Sequence, residues 1–203
     1  TSAMQQVCLQ IGKTIIQAVV NTQGVSVMAA FTAVNRVDDF AYIPQQNIGH
    51  AMTTFIAQNK GAGKKERIRR GFQSGIGIEL VYGLILLVLM YFGAEKIMGL
   101  FTSQEDAQVV ALGRSYLHLV SWMYILPAIT NGIQGFFRGM GDLKVTLYST
   151  FMNMAGRVLA VIVMFLVFHL GFVSLAWANL IGWIVMLLFE IPLLMRQLKE
   201  LRK

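Results

Sequence analysis

Apolar residues fill this chain in six long stretches, and the polar residues within them recur at helical spacing. A helix that crosses a bilayer needs roughly 20 mostly apolar residues. That length predicts spans over residues 5–22, 25–58, 70–92, 108–137, 146–168 and 173–195. The expected fold is all-α, a polytopic integral membrane protein whose six transmembrane helices form one unit over residues 1–203. The second and fourth spans are long, and Pro44 and Pro127 lie inside them. Kinks are expected at both, because proline removes a backbone donor and its ring clashes with the preceding turn.

The polar positions form stripes. On the first span Gln6, Gln10, Lys13, Gln17, Asn21 and Gly24 recur at steps of three and four, which gathers them into about one quadrant of a helix. Amides aimed at hydrocarbon would go unsatisfied, so the stripe faces either packed helices or the wall of a hydrated cavity. On the second span Arg36, Asp39, Asn47 and His50 share one side, and Asp38, Tyr42, Gln45 and Gly49 another. Ionisable groups at bilayer depth are costly and mark pathways, sites or paired charges. Arg36 and Asp39 stand one turn apart and are expected to neutralise each other, leaving Asp38 free to hold a cation or a proton. The alternative is that both acids are consumed in structural salt bridges or sit close enough to the outer face to be hydrated. Arg114, His118 and Ser121 share a face of the fourth span; Thr146, Ser149, Asn153 and Arg157 share a face of the fifth. Arg157 is expected to form a structural ion pair with Asp38, Asp39 or Glu79. Glu190 reads as interfacial, Trp177 and Trp183 as packing or interface anchors, and Gly71, Gly75 and Gly77 as packing positions.

Composition agrees with a membrane protein. Hydrophobic residues make up 56% of the chain and charged residues 13%, about half of the charge typical of a soluble domain; mean hydropathy is +0.60. The net charge of +7 gathers between the apolar stretches. Residues 60–70 hold six bases and one acid; residues 138–144 and the tail with Arg196, Lys199, Arg202 and Lys203 are also basic. The connections at 102–106 and 169–171 are acidic or uncharged. This alternation places both termini in the cytoplasm, of a bacterial inner membrane or plasma membrane generally, with the basic loops touching lipid headgroups. It also argues against nucleic acid, which needs bases along one folded face.

No secretory leader is expected, and Thr1 reads as an internal position of a longer protein. The single Cys8 excludes an intrachain disulfide framework and a cysteine-rich metal site. Gly61 and Gly63 lack the Walker spacing. No Ser-His-Asp set, HExxH motif or paired catalytic carboxylates appear, so an enzyme is not expected, nor is a metal centre or bound cofactor.

Ala29-Ala30-Phe31-Thr32-Ala33-Val34-Asn35-Arg36-Val37-Asp38, then Pro44, then Phe55-Ile56-Ala57-Gln58-Asn59-Lys60-Gly61-Ala62-Gly63 followed by bases, resembles the multidrug and toxic compound extrusion (MATE) family. Gly135-Phe136-Phe137-Arg138-Gly139-Met140-Gly141-Asp142 is similar to that family's turn between the fourth and fifth helices of a lobe. The resemblance covers essentially the whole chain. It implies one lobe, the C-terminal one, of a two-lobe antiporter that exports amphiphilic organic cations in exchange for Na⁺ or H⁺. The implied partner is the N-terminal lobe or, failing that, a second copy of the chain. The implied central cavity is lined by the first, second and fourth spans, with Gln10, Lys13, Gln17, Asn21, Asn35, Arg36, Tyr42, Gln46 and His118 as lining candidates.

The chain also departs from the family pattern. Some members carry acidic cation ligands on the first and fourth helices of this lobe, where this chain offers Lys13, Gln17, Asn21, Arg114 and His118. A coupling site in this half then falls to Asp38 or Asp39; otherwise coupling rests on an acid of the other lobe. Lys13, Arg36 and Arg157 on one cavity would suit a flippase or exporter of a lipid-linked or anionic substrate, since bases bind phosphate. A non-transporting membrane subunit, with polar stripes that serve only helix contacts, is the third reading.

Overall fold

A computed structural model describes residues 2–101 and 107–202, and within them the chain is helical and contains no strand. The helices are α1 (Ser2–Asn21), α2 (Val25–Gly61), α3 (Lys65–Phe101), α4 (Ala107–Ser121), α5 (Ile125–Gly139), α6 (Leu143–Ile162) and α7 (Ser174–Arg202). The expected acidic connection at 102–106 lies outside the described residues. Four segments are long and apolar enough to cross a membrane: Lys65–Phe101, Ala107–Gly139, Leu143–Phe165 and Ser174–Leu201. α1 and α2 fall short of that mark because their polar stripes lower the mean hydropathy. At ~1.5 Å per residue, the 37 residues of α2 and of α3 reach about 55 Å, beyond a hydrocarbon core of roughly 30 Å.

The fourth span is one helix broken in two. Between α4 and α5 the chain takes a 3₁₀ turn over Trp122–Tyr124. Pro127 cannot donate to the carbonyl four residues back, that of Met123, and its ring crowds it. The kink expected at Pro127 is therefore expressed one turn upstream. At Pro44 α2 continues as one helix through the proline, with no 3₁₀ break like that before Pro127. The fifth span ends in a π-helical stretch over Val163–Val167.

Two glycine turns close the hairpins at one end of the bundle. After α2, Gly63 adopts φ +68° while its N–H bonds to the Lys60 carbonyl and the Lys64 N–H bonds to the Asn59 carbonyl. After α5, Gly141 adopts φ +77° with the same pair of bonds, Gly141 to Arg138 and Asp142 to Phe137. Both are Schellman caps, in which a left-handed glycine lets the chain satisfy the last carbonyls of the helix. Lys60 Nζ donates to the Met140 carbonyl at 2.5 Å, tying one turn to the other.

α2 packs on α3 and α5, α6 packs on α1 and α7, and α3 also lies against α4 and α5. α2 and α5 meet where both are glycine. A Cβ on Gly135 would stand 2.6 Å from the Gly49 carbonyl oxygen, so the backbones approach closely only because neither side chain exists. Of the three glycines at the start of the third span, Gly71 and Gly75 pack against Phe55 and Met52, but Gly77 faces open space. The outer face of α3, with Ile78, Val81, Leu84, Ile85, Val88, Leu89 and Phe92 exposed, presents apolar side chains outward, as contact with lipid requires.

The interior has an unusual layering. One apolar cluster joins Val34, Val37, Leu86, Tyr116, Tyr124 and Phe165; a second joins Met52, Ile56, Phe72, Phe136 and Leu194. Each long helix places buried polar residues between the two: Gln45 on α2, Glu79 on α3, Thr130 on α5, Ser149, Thr150 and Asn153 on α6, and Glu190 on α7, while Asp38 of α2 and Asn179 of α7 are set among residues of the first cluster. A polar layer thus crosses the middle of the lobe.

Candidate cavity

The polar layer opens into a cavity of about 310 Å³ between α1, α2, α5, α6 and α7. Its wall includes the expected Gln10, Lys13, Asn35, Asp38, Asp39, Tyr42 and Gln46, together with Arg157. The stripe on α1 therefore faces this space at Gln6, Gln10 and Lys13, while Ile16 and Val20 are buried in the apolar core.

Asp38 is buried, and Tyr124 donates its hydroxyl to Asp38 Oδ1 at 2.5 Å. The helix break before Pro127 sets this contact, because Tyr124 sits in the 3₁₀ turn. Gln45 Nε2 donates to the Tyr124 carbonyl at 3.3 Å, so α2 grips the break through backbone and side chain alike. Tyr42 packs against Tyr124, with centroids 5.7 Å apart, and against the edge of Trp183 at 6.4 Å.

The remaining charges differ from expectation. Asp39 pairs with Lys13 at 3.6 Å, not with Arg36. Both partners are more than half exposed, which makes this a hydrated pair. Arg36 is exposed and does not line the cavity, because at one turn from Asp39 it projects outward while Lys13 reaches across from α1. Arg157 is no structural ion pair. It lines the cavity, its Nε is buried without a hydrogen-bond partner, and no carboxylate among the described residues lies within ion-pair distance. Glu79, one of its expected partners, is enclosed elsewhere in the polar layer with both oxygens unpartnered.

Besides Arg36, three further lining candidates fall outside. Gln17 Nε2 donates to Asn21 Oδ1 at 2.8 Å, so these two satisfy each other at the far end of α1. His118 stacks on Tyr91 at 5.1 Å, on the α3–α4 side of the bundle. It shares a helical face with Arg114, which pairs with Glu95 at 3.1 Å, and that face points away from the cavity.

The expected lining by the first, second and fourth spans leaves out the fifth and sixth. α6 supplies Thr150, Asn153 and Arg157, and α7 supplies Asn179 and Trp183; Trp183 is buried in the apolar core, as a packing role expects, and also lines the cavity. The stripe Thr146, Ser149, Asn153 and Arg157 carried that signal, since four polar residues on one face of an apolar helix need a polar surface to meet. Gln134 and Arg138 on α5 gave no comparable sign. At the inner end Gln5 Nε2 donates to Thr150 Oγ1 at 2.7 Å and to Gln134 Oε1 at 3.3 Å, pinning α1 to α5 and α6. Glu190, expected at the interface, is fully buried behind this group.

The MatE family model matches residues 2–159. Probable multidrug resistance protein YoeA of Bacillus subtilis (strain 168) is 24% identical over 142 residues, which cover 70% of this chain and 30% of that protein. Probable multidrug resistance protein NorM of Rhizobium meliloti (strain 1021) is 28% identical over 174 residues, 81% of this chain and 36% of that one. Among solved structures, a MATE in complex with MaL6 superposes with a TM-score of 0.91 over 99% of this chain and 45% of its own, at 20% identity. A MOP superfamily transporter from Pyrococcus furiosus Vc1, for which a binding pocket of reverse polarity is described, superposes with a TM-score of 0.88 over 96% of this chain and 43% of its own, at 17% identity. The chain thus spans about a third of the length of these curated relatives and under half of these solved structures.

Proposed function

The chain belongs to the MatE family, and on that premise we propose that it is one lobe of a two-lobe antiporter that exports amphiphilic organic cations in exchange for Na⁺ or H⁺. The observation that carries this reading is Asp38, a buried carboxylate on the wall of a polar cavity, anchored by Tyr124 at a helix break. A carboxylate at such depth is retained where it meets a cation or a proton. The break beside it supplies a place where packed helices can adopt a second arrangement, as alternating access requires. The other lobe, or a second copy of this chain, closes the open side of the cavity. Six spans put both termini on one side, and the basic turns at Gly63 and Gly141 make that side the cytoplasm.

The test is ethidium efflux from drug-sensitive bacteria expressing this chain at verified membrane levels, with Na⁺ and proton gradients collapsed separately. Gradient-dependent efflux that Asp38→Asn abolishes is the expected result. Efflux indifferent to Asp38→Asn removes Asp38 from the coupling role. No efflux from inserted protein assigns the activity to the two-lobe assembly, and the same variant is then scored there.

A second reading has its own observation. The unpartnered Arg157 Nε lines the same cavity as Lys13 and Arg138, an arrangement suited to a phosphate or carboxylate on an anionic or lipid-linked substrate. Loss of transport in Arg157→Gln with Asp38→Asn unaffected favours this second reading.

A further inference from the structure

Two carboxyl groups in the polar layer, Glu79 and Glu190, are fully buried and have both oxygens without a hydrogen-bond partner. They differ in what surrounds them. Glu79 stands against Gly132 of α5 and does not adjoin the cavity wall. Glu190 on α7 has Gln134 of α5 and Ser149 of α6 near enough to act on it as weak donors, though neither makes a hydrogen bond of good geometry, and Arg138 of α5 beside it without an ion pair. Gln134 and Arg138 line the cavity, so Glu190 lies one side chain behind its inner end.

A lone ionised carboxylate in such a place costs far more than packing returns, and protonation removes that cost. The one competing remedy is an ion pair with Arg138, the only charged group acting on Glu190 among the described residues; α6 offers it only a hydroxyl. That pair is not made. Arg138 instead gives its Nε to the Gln134 carbonyl at 3.3 Å and its Nη2 to Gln134 Oε1 at 3.2 Å. Gln134 in turn donates from Nε2 to Ser149 and Thr150 at 3.4 and 3.3 Å, and its Oε1 accepts from Gln5 of α1.

We propose that Glu190 is a proton-binding site at the inner end of the cavity, read out through Arg138 and Gln134 and separate from Asp38. With the proton bound, Arg138 stays on Gln134 and Gln134 holds Gln5. With the proton released, the bare carboxylate draws Arg138 away, and Gln134 and the inner end of α1 lose their anchor. Asp38 and Glu190 share no hydrogen-bond partner, so the lobe carries two sites and not one shared between them. A role in coupling rests on the antiporter reading; proton binding itself does not.

The experiment is infrared difference spectroscopy of the full 203-residue chain in lipid nanodiscs across a pH series, following the carboxylic acid C=O band. The wild type is expected to show a protonated-carboxyl band that disappears on alkalinisation. Glu190→Gln removes one component of that band, and this component survives in Asp38→Asn and in Glu79→Gln, whose own buried carboxyl contributes a separate one. An unchanged band in Glu190→Gln overturns the proposal. Arg138→Met leaves Glu190 in place and guards against misfolding of the first variant. Removing the cation disfavours the carboxylate, so the band must persist to higher pH, and an unshifted titration overturns the readout through Arg138. A two-lobe assembly that fails every transport assay, in which this lobe keeps the Glu190 band, counts against the antiporter reading alone. A transporting chain without the band counts against Glu190 alone.

Discussion

Tyr124 and Asp38 stand 86 residues apart in the chain, yet the tyrosine hydroxyl donates to the carboxylate at 2.5 Å. Both are buried, and the contact joins the break in the fourth span to the charged stretch of the second. Tyr124→Phe leaves a buried carboxylate oxygen without its donor, which costs about 1–3 kcal/mol. The expected result is a lower thermal midpoint of the purified chain in detergent. In an Asp38→Asn background the same change should cost less, and equal costs in both backgrounds would show that the two residues are not coupled.

The crossing of α2 and α5 rests on a missing side chain. Gly135→Ala places a methyl group 2.6 Å from the Gly49 carbonyl oxygen, which is backbone and cannot turn aside. Overpacking of this kind costs about 1–3 kcal/mol. Gly77→Ala is the control, because a Cβ there meets nothing within 4 Å and alanine suits a helix better by roughly 0.5–1 kcal/mol. Thermal melts of the two variants should move in opposite directions.

Gly63 and Gly141 close their helices with left-handed backbone, at φ +68° and +77°. Neither has a neighbour close enough to clash with a methyl group, so alanine at either position incurs backbone strain alone, about 1–2 kcal/mol. Gly61 has the same open surroundings without the positive φ, and Gly61→Ala should be neutral or stabilising. Limited proteolysis of the two hairpins separates the cases: the Gly63 and Gly141 variants are cut faster, the Gly61 variant is not.

Lys13 and Asp39 form an exposed pair at 3.6 Å, and such pairs contribute about 0.2–1 kcal/mol. Lys13→Gln or Asp39→Asn should therefore leave the thermal midpoint within a degree or two of wild type. Their effect belongs to the charge of the cavity: Lys13→Gln makes the lining more negative and should strengthen binding of a cationic dye, while Asp39→Asn should weaken it. Fluorescence titration with ethidium at low and high salt reads both, and the difference should shrink as salt screens the exposed charges.

Much of this architecture was legible in the residues themselves. Backbone groups in a membrane must bond within their own helix, so apolar length located most of the helices and helical periodicity of the polar stripes the first two, and Gly63 and Gly141 marked the turns because glycine adopts the left-handed caps seen there without steric cost. The α1 stripe was readable for the same kind of reason: a helix has a fixed period, and Gln10 and Lys13 had to share a face whatever lay opposite. Partners were not readable, because a period fixes direction on one helix and says nothing of which helix stands across from it. Arg36 lost Asp39 to Lys13 because α1 lies against α6 with its stripe turned towards α2. His118 left the cavity because the break before Pro127 separates the face of α4 from that of α5. Glu190 was placed by its distance from the chain end, whereas its burial is decided by Gln134, Arg138 and Ser149 on two other helices. The sequence by itself determined the helices, their caps and the polar face of each. Only the packing of helices distant in the chain decided which polar faces met, and therefore which charges were left without a partner.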